Sequence, residues 1–94
     1  MRARRVGDGV VVEFAGVTGA VHTWSASRAT SVELCAEAEG TCRYADAVAE
    51  GTTLRIAPDG RPATRVRYGW AAAPVTNLYD DVPLPIGPFE LAID

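Results

Sequence analysis

"TTLRIAPDGRPATRVRYGW", residues 52 to 70, decides the fold. Leu54 and Ile56 fall on one side of its first part and Thr53 and Arg55 on the other. That is the period-two pattern of a strand with one buried face. Pro58-Asp59-Gly60 then turns the chain, because proline fixes φ and glycine supplies positive φ. Alternation resumes beyond the turn, with Val66, Tyr68 and Trp70 on one side and Arg65 and Arg67 on the other. The Tyr68/Trp70 pair reads in two ways. Aromatics two apart on a strand can form a platform for sugar rings, with Arg67 and Asn77 donating to hydroxyls. They can also be the large core residues that a small β domain needs, the tyrosine hydroxyl reaching a backbone partner. The second reading is expected, with both rings facing inward.

The pattern extends outward from there. Residues 9 to 16, "GVVVEFAG", put Val10, Val12 and Phe14 on one face. Short strands are expected at 20 to 27 and 30 to 37, a turn at "EAEGT" (37 to 41), a return run at 42 to 51, and an edge strand at 89 to 93. Residues 1 to 8 are expected to be a flexible lead-in. Pro74, Pro83, Pro85 and Pro88 forbid a long regular element near the tail. Short strands at roughly ten-residue spacing predict an all-β fold. The expected architecture is one domain over 1–94, a small antiparallel β-sandwich with a Pro-rich C-terminal strap.

Composition narrows the function. The chain has 94 residues and 48% apolar content, enough for one folded domain. A domain of this size buries roughly 60–65% of its unfolded surface, so a covalent staple would help. No apolar run is long enough to span a membrane. The start lacks the apolar region of a secretory signal, so any export signal is expected upstream in a longer parent chain. All nine basic residues are arginine, spread along a chain of net charge −3. A nucleic-acid partner calls for a basic, clustered surface, so that class is set aside. Cys35 and Cys42 flank a turn containing Gly40. They read as a disulfide in an oxidising compartment, or as two free thiols in a reducing one. Two cysteines with no nearby histidine make a poor zinc site.

Catalytic residue types are sparse. His22 is the only histidine, and none of Ser25, Ser27 and Ser31 sits in a G-x-S-x-G elbow. Asp80 and Asp81 could be a carboxylate pair, but they are adjacent in a Pro-rich stretch and are expected to be solvated loop acids. No Gly-rich phosphate loop and no metal-ligand spacing occurs, so no cofactor is expected.

The tail carries a more specific signal. Val66, Arg67, Tyr68 and Trp70 make V-R-Y-x-W; Pro74, Asn77, Leu78 and Tyr79 make P-x-x-N-L-Y; and Leu84, Pro85, Pro88 and Phe89 follow as L-P-x-x-P-F. This order resembles the C-terminal end of sialate O-acetylesterase-type carbohydrate esterases. Ser31-Val32 stands where that family has Gly-Phe, and Pro83 where it has Gly before Leu-Pro. The resemblance spans roughly residues 9 to 91, tightest at the end. It implies a non-catalytic C-terminal β domain that packs on an upstream SGNH-type hydrolase domain. That domain would hold the nucleophilic serine and its partners. The parent would be periplasmic or secreted. An alternative role is a carbohydrate-binding module that presents acetylated glycans. Arg67, Tyr68, Trp70, Asn77 and Tyr79 are the candidate glycan or domain contacts.

Overall fold

The structure is a computed structural model and describes residues 1–24, 26–70 and 76–94. Ser25 and Pro74, both singled out in the sequence, lie outside the described residues. Ten strands follow in order: β1 (Arg2–Val6), β2 (Gly9–Glu13), β3 (His22–Thr23), β4 (Val32–Cys35), β5 (Arg43–Tyr44), β6 (Ala47–Glu50), β7 (Thr53–Ile56), β8 (Arg65–Tyr68), β9 (Leu78–Tyr79) and β10 (Phe89–Ala92). They form an all-β sandwich of two four-stranded antiparallel sheets, ordered β1-β2-β7-β6 and β10-β8-β4-β5. A third, two-stranded sheet pairs β3 with β9.

Alternation sets the core. In the first sheet Val10 lies opposite Ile56 and Val12 opposite Leu54, and all four are buried. In the second, Leu34 lies opposite Val66 and Val32 opposite Tyr68, again all buried. Three rings complete the core. Phe14 meets Phe89 edge-on at 6.0 Å, and Phe89 stacks on Tyr68 at 5.5 Å. The sheets also join along one seam. Ala3 bridges Ile93 in parallel, Asp94 donates its amide to the Ala3 carbonyl at 3.0 Å, and Arg2 Nε reaches the Asp94 carboxylate at 2.8 Å.

Residues 1 to 8 are therefore not a loose lead-in. Arg2–Val6 is a full edge strand registered against β2, with Ala3 buried on the core side. The segment at 20 to 27 forms only the two-residue β3, and the run at 42 to 51 splits into β5 and β6. The split occurs because the chain changes sheets there. Ala45 donates to Val32 in the second sheet, and the Asp46 carbonyl accepts from Ala57 beside the first.

The cysteines are bonded. The Cys35–Cys42 disulfide closes the β4–β5 turn, where Gly40 has a φ of +73°. Thr41 adds a polar tie, its hydroxyl accepting the Ala36 amide and lying 3.1 Å from the Ala36 carbonyl. On the far side of β5, Arg43 binds both carboxylate oxygens of Asp59, at 2.7 and 2.9 Å. Its remaining donors reach the carbonyls of Pro62 and Arg61.

Candidate functional site

The tail residues separate into buried and exposed groups. Tyr68 is fully buried, and its hydroxyl accepts the Leu78 amide at 3.1 Å. Burial pushes that phenol above the usual tyrosine range. Asn77 is also buried, at 8% exposure. Its Oδ1 accepts the Thr30 amide at 2.8 Å, and its Nδ2 donates to the carbonyls of Trp24 and Arg28, both at 3.0 Å. With its Oδ1 and both Nδ2 donors committed, Asn77 staples the strap to Trp24, Arg28 and Thr30 rather than donating to a ligand.

Trp70 corrects the inward expectation. β8 ends at Tyr68, and Gly69 takes a φ of +63°, which breaks the period-two alternation. Trp70 is 48% exposed, and its ring lies 5.1 Å from Arg67 Cζ, on the outer face of the second sheet. Arg67 Nε donates to Glu90, which also receives Arg65 Nη1 at 3.4 Å. Register continues the row across the sheet. Glu90 lies opposite Arg67, Arg67 opposite Glu33, and Glu33 opposite Tyr44. Tyr44 is 74% exposed. Trp70 thus lies over Arg67 within this row of alternating charges, and Tyr44 ends the row two strands away.

A second aromatic pair stands on the small sheet. Trp24 packs on Tyr79 with centroids 5.1 Å apart. His22, opposite Tyr79 in register, pairs through Nε2 with Asp81, and that bond holds the Asp81 carboxyl below the usual carboxylate range. The loop beyond β9 is built on Asp80, which is not a solvated acid but 6% exposed. Asp80 Oδ1 accepts the amides of Leu84 and Val82 at 2.9 and 3.1 Å, and Oδ2 accepts that of Thr18 at 3.2 Å. The Leu84 amide bond is the largest cause of its lowered pKa. The strap is ordered by this carboxylate, by the Ile86 amide on Leu78, and by a Tyr79–Pro85 bridge. Val82 and Leu84 remain exposed on it.

The sequence reading missed Tyr44 and Trp24. Their parity could have found them, since Tyr44 follows a sharp turn and Trp24 alternates with Val21 and Thr23. Among the described residues no cluster of three metal-ligating side chains occurs. A hollow of about 570 Å³ on the first sheet's outer face, lined by Val6, Val11, Val48 and Pro58, gathers none of the sequence candidates. Comparison with family models, curated proteins and solved structures finds no match to this chain.

Proposed function

We propose that this chain is a non-catalytic accessory β domain of a sialate O-acetylesterase-like carbohydrate esterase, docking on an upstream SGNH hydrolase domain. The tail motif from Val66 to Glu90 supports the esterase part of this reading. One observation supports docking. The Asp80-built strap holds Val82 and Leu84 in solvent beside Tyr79, which carries Trp24, 54% exposed. Large apolar side chains on an ordered frame, outside a core already closed, suit a protein contact.

The test is the full open reading frame and its product. An upstream Gly-Asp-Ser-type nucleophile block is expected. The separately expressed hydrolase domain should bind this chain on a sizing column, and Leu84→Asp with Trp24→Ala should abolish the complex. An open reading frame without that block overturns the family placement, and a complex indifferent to both substitutions overturns the docking face. A second reading, glycan presentation, is favoured by the exposure of Trp70 and Tyr44 on one sheet face.

A further inference from the structure

The outer face of the second sheet is built in a way that folding does not require. Tyr68, Phe89 and Phe14 fill the core, so Trp70 is spare. Gly69 directs it outward, and Arg67 and Glu90 hold its neighbourhood in place. Two strand spacings separate Arg67 from Tyr44, about 10 Å across the sheet. The charges around the rings balance, Arg67 and Arg65 against Glu90 and Glu33, and by register Glu33 lies on the strand between Arg67 and Tyr44. Arg67 and Arg65 are engaged by Glu90, and Arg65 Nη2 also reaches the Ala36 carbonyl at 2.8 Å. The Glu33 carboxylate and the Tyr44 hydroxyl have no hydrogen-bond partner among the described residues.

We infer that this face is a binding platform for an extended neutral oligosaccharide. The inference rests on the glycan-presentation reading and gives it a location. Trp70 and Tyr44 offer flat apolar surfaces to the C–H faces of pyranose rings. Glu33 accepts, and Arg67 and the Tyr44 hydroxyl donate, to the hydroxyls between them. Balanced charge disfavours a polyanion. A row of alternating acid and base is also unlike the charge-depleted centre of a protein interface. The platform is carried by β4, β5 and the end of β8, whereas Trp24 follows β3 and Leu84 stands on the Asp80-built loop.

The test is a titration of the whole chain with cellotetraose, xylotetraose, O-acetylated xylotetraose and chitotetraose. A Trp24→Phe variant leaves Trp70 as the only indole reporter. At least one tetrasaccharide should give a saturable change in its fluorescence at low-millimolar concentration. Trp70→Ala and Tyr44→Ala, followed by NMR shifts of the Glu33 and Arg67 amides, should each weaken that binding by roughly tenfold or more, the scale of one lost ring contact. Both should keep the wild-type amide dispersion. No saturable response to any of the four sugars, or binding that survives loss of both rings, overturns the inference. Loss of the hydrolase-domain complex in Trp70→Ala, with sugar binding absent, makes the face a protein interface instead and overturns it too. Sugar binding without an upstream hydrolase leaves the platform standing and removes the esterase reading, so the two failures are distinct.

Discussion

Replacing Trp70 with alanine should cost only about 0.5–1 kcal/mol, the value of an exposed cation–π contact. Replacing Tyr68 should cost about 3–5 kcal/mol, since a fully buried ring leaves a cavity. Urea denaturation of both variants checks this, and equal losses would return Trp70 to the core. Asn77→Ala should cost at least roughly 1–3 kcal/mol, because buried partners at Thr30, Trp24 and Arg28 lose their bonds. At this scale the sequence revealed residue type better than direction. The pair at 68 and 70 looks equivalent by alternation, and one positive φ at Gly69 separates them. Asp80 looked solvated because acids in Pro-rich stretches usually are. Its burial depends on amides from Thr18, Val82 and Leu84, two of which are close in sequence but meaningless until the loop closes.

Elements with their own hydrophobic period were legible. β2 and β7 announced themselves through Val10, Val12, Leu54 and Ile56, because each buries a full face. β1 did not, since "RARRV" presents a single residue, Ala3, to the core and owes its form to pairing with β2. The β4–β5 turn was legible through its cysteines. Reducing the Cys35–Cys42 bond should cost about 2–3 kcal/mol by freeing the closed loop in the unfolded chain. Thermal melts with and without reductant measure it, and intact mass should rise by two hydrogens on reduction. The strap makes a local prediction as well. Asp80→Ala should strip hydrogen-exchange protection from the Val82 and Leu84 amides while leaving Val12 and Leu54 protected.

For the whole molecule, acid should be the damaging direction. Arg43 holds the Asp59 carboxyl down at about 2, below its unfolded value of roughly 3.9. Backbone donors lower Asp80 in the same sense. A carboxylate with a depressed folded pKa binds protons more weakly when folded. Its contribution is therefore complete above about pH 4 and fades as pH falls toward 2. The melting temperature should fall through that window. Asp59→Asn should melt lower than wild type at pH 6 and lose less on acidification. A variant tracking the wild-type pH curve would show that the Arg43 pair contributes nothing. The sandwich itself was legible because its two sheets bury alternating faces. The seam between them was not, because it joins residues at opposite ends of the chain.

That seam has a mechanical consequence. β1 and the segment at Ile93 run side by side in the same direction. A pull applied to the two chain ends drags them lengthwise past each other. The hydrogen bonds from the Arg5 amide to the Asp94 carbonyl and from the Asp94 amide to the Ala3 carbonyl then carry the load together instead of opening one after another. Tension arriving along a longer polypeptide would meet a sheared clamp rather than a zipper, so a single-molecule stretch should record one abrupt rupture.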